Sequence, residues 1–479
     1  MERDCDRNML INILIMIVVL YFIYVFVTAV VLFYVPLHKG KDLKVMNTEN
    51  FYGKEESTDR VMLLENGYFS GLVRMQMIQE ARHTIDIAYF SIGKGRSSDL
   101  LMGALFEAAD RGIRIRVLLD GISHGLKGKR KNVLYALAFH NNIELKYYEP
   151  FTIFKPWTWH NRLHDKIIVV DGQLGIIGGR NIGDKYLASQ PDKNFVYDRD
   201  VLIYNTKQES HSVILSMEKY VEKLWTHPYT RKAFQKLKKT KQFRGLSGKK
   251  LLIDQYEKAK KANEPFVHPY IVWRESTMPT RKVSFITNPI QRINKSPFIW
   301  KTFIKLSQQA EKSIVVQSPY IVPTKEMERY IDKRVKPKVQ RIILTNSITS
   351  TPNAMAFSAY LGVKNHVIKA GSKLYEYQKP YSIHGKSVVY DQRLSAVGSF
   401  NLDSRSAFLN TESMVMIDSK EFAAELTGAI ETKISHSMLV GNEGEPVDFN
   451  TDSQKNVPPV KSALLHILSV FTRFWRHFV

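Results

Sequence analysis

The chain has 479 residues, enough for two or three domains with a core each, and an ordinary composition that excludes a disordered protein. Its formal net charge of +23 indicates a polyanionic partner, either nucleic acid or an anionic membrane surface. A single cysteine, Cys5, excludes an internal disulfide and a metal site built from several thiolates.

The first element is an apolar run from Met9 to Leu37 that contains no charged residue. It is longer than the roughly 20 residues that cross a bilayer, so residues 1–44 are predicted to form an N-terminal membrane anchor with one span. A cleaved secretory signal is one alternative, but the run is too long and no small-residue cleavage site follows it. A tilted span or a short re-entrant hairpin is the other. Three lysines follow the run and two arginines precede it, which favours a cytoplasmic position for the rest of the chain.

Helical and strand patterns then alternate over residues 60–228, the first predicted lobe. Apolar spacing predicts helices at 72–81, 100–110 and 133–139, and strands at 84–92, 113–119 and 143–148. Strands that alternate with helices indicate an α/β fold, with a parallel or mixed sheet covered by helices on both faces.

A further strand is predicted at residues 164–170, and it carries the first chemical motif. His164 and Lys166 lie two residues apart, which on a strand places both side chains on one face. Asp171 ends this strand, and the sequence Gly178-Gly179-Arg180-Asn181 follows it. Alone, such a motif is usually a surface pair and carries little weight.

The same order of elements recurs over residues 281–440, the second predicted lobe. Helices are predicted at 303–310, 327–335 and 354–369, and strands at 313–321, 340–344 and 373–377. The second motif then follows, with the same spacing as the first, and its residues are His384, Lys386, Asp391 and Asn401. This recurrence indicates duplication of a whole α/β unit rather than a chance repeat of a few letters.

Two further segments carry charge or an amphipathic pattern. Residues 229–280 are predicted to form a basic connector, with twelve Lys or Arg among the 31 residues of 231–261. Most of these charged side chains are predicted to face solvent. The alternative is that they form a patch that docks on lipid phosphates. After a polar linker, residues 458–479 are predicted to form an amphipathic helix. That helix lies either in a bilayer interface or against the core.

Two histidines and two lysines suit the cleavage of a phosphodiester. One neutral imidazole attacks phosphorus, and the other, protonated, delivers a proton to the leaving oxygen. Lys166 and Lys386 supply charge to the non-bridging oxygens. The predicted phosphate-binding donors are Asn181, Ser399 and Asn401, and a site of this kind requires no metal or other cofactor.

Carboxylates are predicted to orient the two histidines through their second ring nitrogens. In the first half, the candidates are Asp198 and Asp200, and Asp200 is the residue predicted to orient the histidine. In the second half, the candidate is Glu412. Read from the sequence alone, Asp171 and Asp391 are structural, bonding to backbone or basic groups rather than to phosphate.

The paired motifs resemble those of the phospholipase D superfamily over about residues 60–440, and the segments 177–186 and 398–412 are similar to bacterial cardiolipin synthases. The resemblance implies two pseudo-symmetric lobes whose motifs meet at the lobe interface, and a phosphohistidine intermediate formed on His164. Gly179 departs from the usual serine. The residues that the resemblance places in the catalytic motif are His164, Lys166, Asp171, His384, Lys386 and Asp391.

The function that the resemblance implies is transfer of a phosphatidyl group onto phosphatidylglycerol, with phosphatidylethanolamine as a candidate donor. It also implies a bacterial inner-membrane location, and a monomer suffices because one chain holds both half-sites. With water as the acceptor, the enzyme would be a hydrolytic phospholipase D. The aromatic-rich stretch between Lys146 and His164 is predicted to admit the lipid.

Two other functions compete with lipid transfer. A nuclease of the same superfamily would fit the positive charge. Two features disfavour a nucleic-acid partner: the chain has a membrane anchor, and its basic residues are not interleaved with aromatic residues that could stack on bases. A membrane-bound scaffold with inactive motifs is disfavoured because both motifs are intact.

Overall fold

The computed structural model describes residues 2–34, 47–190, 192–207, 211–293, 295–331, 335–441, 459–472 and 475–478. It begins with α1 (Glu2–Phe26), which continues through a π-helical turn (Val27–Val31) into α2 (Leu32–Tyr34). The 26 residues from Asp6 to Val31 are long and apolar enough to cross a membrane. The last part of the predicted apolar run, residues 35–37, lies outside the described residues.

The first half builds one eight-stranded sheet flanked by helices. Its strands are β1 (Asp59–Leu64), β2 (Thr84–Tyr89), β3 (Arg114–Asp120), β4 (Ile143–Tyr148), β5 (Lys166–Val170), β6 (Leu174–Gly178), β7 (Val196–Tyr197), β8 (Asp200–Asn205) and β9 (Thr230–Lys232). Its helices are α3 (Gly67–Glu80), α4 (Arg96–Asp110), α5 (Lys131–Phe139), α6 (Asp184–Leu187) and α7 (Val213–Thr226). The sheet order is β1-β8-β6-β5-β2-β3-β4-β9, with β7 outside it.

The second half repeats this architecture after two connector helices, α8 (Lys239–Lys261) and α9 (Trp273–Ser276). Its strands are β10 (Lys282–Thr287), β11 (Ser313–Gln317), β12 (Ile321–Val322), β13 (Gln340–Asn346), β14 (Lys373–Tyr377), β15 (Ser382–Ile383), β16 (Ser387–Tyr390), β17 (Leu394–Gly398), β18 (Leu402–Asp403), β19 (Ser413–Asp418) and β20 (Ser437–Leu439). Its helices are α10 (Phe298–Gln309), α11 (Lys325–Glu328), α12 (Ala354–Leu361), α13 (Lys364–Lys369), α14 (Ser404–Phe408) and α15 (Lys420–Ile434), and α16 (Pro459–Thr472) follows them.

The two sheets have equivalent strand orders and directions. The second sheet runs β10-β19-β17-β16-β11-β13-β14-β20, so each strand has a counterpart at the same place in the first. In each, the three strands joined by crossover helices are parallel, and the motif strand and its neighbours are antiparallel. The predicted mixed α/β fold with two pseudo-symmetric lobes is therefore confirmed.

The two lobes share a hydrophobic core. Side chains from the motif strands of both halves, among them Val169 and Val389, belong to one buried cluster that also contains residues of α7 and α15. Both sheets therefore bury one face against the other lobe. Burial on both faces explains why the strands β5 and β16 are apolar after their first residue rather than alternating.

Short parallel strand pairs cross from one lobe to the other. β7 pairs with β15, so that Tyr197 faces Ile383, and an isolated bridge joins Leu163 to Thr411. These two pairings are equivalent under the pseudo-twofold relation between the lobes. Each one holds the residue immediately before a motif histidine.

Some predicted elements differ from the observed ones. The helix predicted at 354–369 is divided into α12 and α13 around Gly362. Of the residues described near the helix predicted at 327–335, which exclude 332–334, only Lys325–Glu328 is helical. The strand predicted at 164–170 begins at Lys166, because His164 follows the inter-lobe bridge instead of joining the sheet. α8 packs against α4 and α5, and it buries Leu252, Tyr256 and Ala259 while its basic residues remain largely exposed.

Candidate active site

The first motif histidine is held by the second lobe. The backbone N–H of His164 donates to Thr411 Oγ1 at 3.2 Å, beside the bridge between Leu163 and Thr411. Its ring Nδ1 lies 2.9 Å from Glu412 Oε1 and 3.1 Å from Oε2. This arrangement leaves Nε2 as the nitrogen that can meet a substrate.

The second motif histidine is held by the first lobe in the same way. The backbone N–H of His384 donates to the Tyr197 carbonyl at 2.6 Å, beside the β7–β15 pairing. Its ring Nδ1 lies 2.5 Å from Asp198 Oδ2. Each half therefore supplies one histidine and the carboxylate that orients the other half's histidine.

The prediction that Asp200 orients a histidine is wrong. Asp200 is fully buried, and its Oδ2 accepts hydrogen bonds from Ser70 Oγ (2.8 Å), Arg74 (2.9 Å) and Arg180 (3.1 Å). The strand pattern breaks between Tyr197 and Asp200, and Asp198 sits at that break, where its side chain can turn toward the other lobe.

A sequence signal for the correct carboxylate was present. Asp198 lies three residues before Val201, and Glu412 lies three residues before Val415, the equivalent position in the second half. Both strands occupy equivalent positions in their sheets, since β8 and β19 each pair with the strand that follows the motif strand.

The two motif lysines are buried within the site. Lys166 Nζ donates to the carbonyl of His164, and Lys386 Nζ donates to the carbonyl of His384. Lys386 Nζ also lies 2.6 Å from His384 Nδ1 and 3.8 Å from Asp198 Oδ2, so this imidazole faces both an anion and a cation. Burial lowers the pKa of Lys166 to about 7 and that of Lys386 to about 8.

The two carboxylates differ in their electrostatics. Burial raises the pKa of Glu412 to about 7, against the opposing charge of Lys166. At Asp198, burial is outweighed by Lys386 and His384, which together lower the pKa of this carboxyl group to about 2. Asp198 is therefore a fixed anion at neutral pH, whereas Glu412 is close to its titration midpoint.

Both histidines are neutral in the substrate-free site. Burial, reinforced by the charge of Lys166, holds the pKa of His164 well below its usual 6.5. Burial and Lys386 lower the pKa of His384 to about 4. A neutral imidazole carries the lone pair that a nucleophile or a general base requires.

Ser399 does not serve as the predicted phosphate donor. Its hydroxyl donates to Glu412 Oε2 at 2.5 Å and accepts from the Ser413 backbone N–H at 3.0 Å, so the prediction for this residue is wrong. In the first half, a Cβ atom at Gly179 would lie only 2.2 Å from Asp198 Oδ1. Ser399 with Glu412, and Gly179 with Asp198, are thus two ways of filling the same space.

The two motif asparagines have side-chain oxygens without a hydrogen-bond partner, and Asn181 lies beside a tyrosine that neighbours His384. Asn181 Nδ2 is 3.4 Å from the Tyr186 hydroxyl, and the Tyr186 ring centroid lies 6.3 Å from that of His384. The side-chain oxygens of Asn181 and Asn401 are buried without a hydrogen-bond partner. Since a carboxamide has both a donor and an acceptor end, these two groups retain hydrogen-bonding capacity for a ligand.

Asp171 and Asp391 lie at the opposite ends of the motif strands from the lysines. Asp171 accepts from the backbone N–H groups of residues 82, 83 and 84, and Asp391 accepts from those of residues 311, 312 and 313. The prediction that they bind backbone is confirmed. Five residues of strand separate each aspartate from its lysine, roughly 17 Å, so these two motif residues lie away from the lysines and histidines.

The aromatic side chains beside the two histidines were not predicted from the sequence. Phe90 lies 5.2 Å from His164, centroid to centroid, and Tyr320 lies 6.3 Å from His384. Both residues follow the strands that neighbour the motif strands, and only the sheet order brings them to the site. Within the described residues, no three His, Cys, Asp or Glu side chains converge where a metal ion would sit.

Comparison with known proteins gives the family context of this site. The family model described as "Cardiolipin synthase, PLD-like domain" matches residues 75–225 and 303–434, which together span both motifs. An uncharacterised protein of Helicobacter pylori (strain ATCC 700392 / 26695) is 28% identical over 396 residues, which cover 76% of each chain.

A named relative and a solved structure agree with the family match. Cardiolipin synthase C of Escherichia coli (strain K12) is 25% identical over 415 residues, covering 75% of this chain and 81% of that protein. The crystal structure of a phosphatidylserine synthase from Haemophilus influenzae Rd KW20 superposes with a TM-score of 0.61 at 14% identity, covering 88% of this chain and 95% of that one. The latter similarity supports a shared fold.

Proposed function

The chain belongs to the cardiolipin synthase family of phospholipase D-like proteins, and we propose that it transfers a phosphatidyl group onto phosphatidylglycerol through a phosphohistidine intermediate. One observation carries the proposal: each imidazole has Nδ1 bound to a carboxylate from the other half, at 2.9 Å for His164 and 2.5 Å for His384. The two imidazoles thus form a single site with two buried lysines.

In the proposed first step, His164 Nε2 attacks the phosphorus of the donor lipid. The N–P bond forms as the P–O bond to the headgroup alcohol breaks, and His384 donates a proton to the leaving oxygen. Lys166 and Lys386 offset the charge that develops on the non-bridging oxygens, with Asn181 and Asn401 as additional hydrogen-bonding groups.

In the second step, the terminal hydroxyl of phosphatidylglycerol gives its proton to His384 while its oxygen attacks phosphorus. The N–P bond breaks and His164 returns to its neutral form, so the products are cardiolipin and the free headgroup alcohol. Water in place of phosphatidylglycerol would give hydrolysis, the alternative outcome of the same chemistry.

The carboxylates support the choice of His164 as nucleophile. Asp198, with its pKa lowered to about 2, is an anion that favours the protonated form of His384. Glu412, whose pKa burial raises to about 7, gives weaker support to a protonated His164. A phosphodiester anion in the site would raise the pKa of His384 from about 4, so the acid forms when substrate is bound.

The membrane setting supports a lipid rather than a nucleic acid as substrate. The N-terminal helix is long enough to span a bilayer, and its Tyr21 and Tyr24 hydroxyls donate to the carbonyls of Ile153 and Phe154 at 3.0 and 2.7 Å. Phe154 is 71% exposed in the aromatic-rich stretch that precedes His164. We place the catalytic body on the cytoplasmic face of a bacterial inner membrane, because lysines follow the span.

The test uses detergent-solubilised full-length protein and labelled phosphatidylglycerol, with and without phosphatidylethanolamine, and DNA in a separate reaction. We expect cardiolipin to form and to be lost in His164→Ala and His384→Ala. Acid-sensitive phosphoprotein should accumulate in His384→Ala and be absent in His164→Ala; the reverse would move the nucleophile to His384. DNA cleavage without lipid turnover would refute the proposed function.

A further inference from the structure

A cavity of about 490 Å³ opens beside the C-terminal segment of the chain. It is lined by Asn353, Met355, Arg405, Trp475 and Phe478, so one cationic side chain faces a mainly apolar surface. The Arg405 guanidinium donates to the carbonyls of Phe478 (3.3 Å) and His160 (3.5 Å). In the described part of the chain, no carboxylate forms an ion pair with Arg405, although burial penalises its charge.

The cavity lies beside the C-terminal end of the membrane-spanning helix. His160, whose carbonyl accepts from Arg405, has its ring Nε2 2.9 Å from the Ala29 carbonyl. The Phe33 ring contacts both His160 and Phe478, with centroid distances of 5.1 and 6.2 Å. Since 26 helical residues extend about 39 Å, more than the hydrocarbon core of a bilayer, the end of this helix reaches headgroup depth. Arg405 is thus at the level of lipid phosphates.

Apolar surface continues from the cavity toward the membrane. α16 packs on α12 through buried Leu465, while its opposite face, which includes Leu464, Ile467 and Phe471, is more than half exposed. Met355 and Trp475 are each 44% exposed at the cavity itself. An acyl chain that emerges from the cavity therefore meets apolar side chains, which is the environment that a lipid anchored by its phosphate needs.

The cavity is also connected with the reacting centre. Arg405 is the second residue of α14, the short helix that follows Asn401 in the chain, and its guanidinium donates to the carbonyl of His160, four residues before His164. A phosphate bound to Arg405 would therefore carry its headgroup toward the histidines. A reaction that joins two phospholipids has two phosphates to hold, and the motif lysines and asparagines account for only the reacting one.

We propose that Arg405 and the cavity beside it form the acceptor site, in which Arg405 binds the non-reacting phosphate of phosphatidylglycerol and Met355 and Trp475 contact its acyl chains. The inference rests on the proposed phosphatidyl transfer and deepens it. It assigns recognition of a lipid acceptor, rather than water or a small alcohol, to residues outside the two motifs. The guanidinium suits this role because it donates to phosphate in a fixed fork.

The experiment compares two acceptors for one labelled donor lipid, phosphatidylglycerol and ethanol, with the full-length protein in mixed micelles. In Arg405→Gln, the ratio of cardiolipin to phosphatidylethanol should fall about 10- to 100-fold, the loss expected for a hydrogen bond to a charged group. Arg405→Lys should recover part of the ratio because it retains the charge. Arg274→Gln, at an exposed arginine of α9, is the matched control and should leave the ratio unchanged.

A second variant addresses the cavity without altering charge. Met355→Trp should narrow it and lower the same ratio, and this test stands if Arg405→Gln fails to fold. The acceptor site would be overturned if the ratio of cardiolipin to phosphatidylethanol is unchanged in both variants, or if both products fall together. Either result would leave phosphatidyl transfer in place. Absence of both products in the unmodified protein would instead remove the proposed function itself.

Discussion

Gly179 and Asp198 fit together only because residue 179 lacks a side chain: a Cβ atom there would lie 2.2 Å from Asp198 Oδ1. The equivalent pair in the second half is Ser399 and Glu412, joined by a 2.5 Å hydrogen bond. The glycine that departs from the usual motif serine is therefore matched to the identity of its carboxylate, and Asp198 takes up the space that the serine side chain occupies in the other half.

This matching predicts a paired effect of substitution. Gly179→Ser should displace the Asp198 carboxylate from His384 and reduce kcat about 100-fold, since misplacement by about 1 Å can cost that much. The double variant Gly179→Ser/Asp198→Glu reproduces the second half's pair and should recover part of the loss. Phosphatidyl-transfer rates of both variants provide the measurement, and a double variant no better than the single one would contradict the explanation.

The two neighbouring carboxylates should separate catalysis from stability. Asp198→Asn should lower kcat by about 10³- to 10⁴-fold in the protein that remains folded, because it removes the anion that supports His384. Asp200→Asn should instead destabilise the fold by about 3–5 kcal/mol, because it leaves Arg74 and Arg180 buried without their shared anion. Activity assays and denaturant unfolding of both variants check this, and exchanged phenotypes would return Asp200 to the site.

Anion binding should take up protons. With the pKa of Lys166 lowered to about 7 and that of Lys386 to about 8, each lysine loses its charge as pH rises through its value. A bound anion stabilises the ammonium form and raises both pKa values, so affinity should fall between pH 6 and pH 9. Calorimetric titration with sulfate at pH 8, in two buffers of different ionisation enthalpy, should report proton uptake.

Lys166→Met/Lys386→Met provides the control for this titration, since it should bind sulfate weakly and with less proton uptake than the unmodified protein. Sulfate is suited to the test because it stays a dianion over the whole pH range. Proton release on binding to the unmodified protein would contradict the buried ammonium groups.

Asp171 and Asp391 should matter for stability alone. Each caps three backbone N–H groups at the turn before a neighbouring strand, and Asp171→Ala or Asp391→Ala should cost about 1–3 kcal/mol of unfolding free energy. Both residues have positive φ, 51° and 50°, which asparagine tolerates better than alanine, so the Asn variants should lose less. A loss of kcat that exceeds the loss of folded protein would show a catalytic role.

Local patterns predicted much of the fold because burial is periodic along each element. β4 and β14 begin and end where the apolar alternation predicts, and equal motif spacing predicted that the two halves are equivalent. The exchange of carboxylates between lobes was not predictable in this way. It depends on the pairing of Leu163 with Thr411 and of Ile383 with Tyr197. The two residues of each pair are nearly 200 or more positions apart in the chain, and such contacts produce no periodic pattern in the sequence.

The same limit explains the error at Asp200. Asp198 and Asp200 are two residues apart, so a continuous strand would have placed both side chains on one face. The strand is broken before β8, and Asp198 therefore faces the other lobe while Asp200 faces Arg74 and Arg180. Ser399 was predicted to bind phosphate because it carries a hydroxyl group. The residue type does not reveal that this hydroxyl already donates its hydrogen bond to Glu412.

The exchanged carboxylates make the two halves of the chain depend on each other. Each half holds a histidine whose carboxylate belongs to the other half, so neither half has a complete site by itself. Two copies of one half, arranged face to face, would in principle complete two such histidine–carboxylate pairs. The two halves of this chain differ at these pairs, because Asp198 lies beside Gly179 and Glu412 lies beside Ser399.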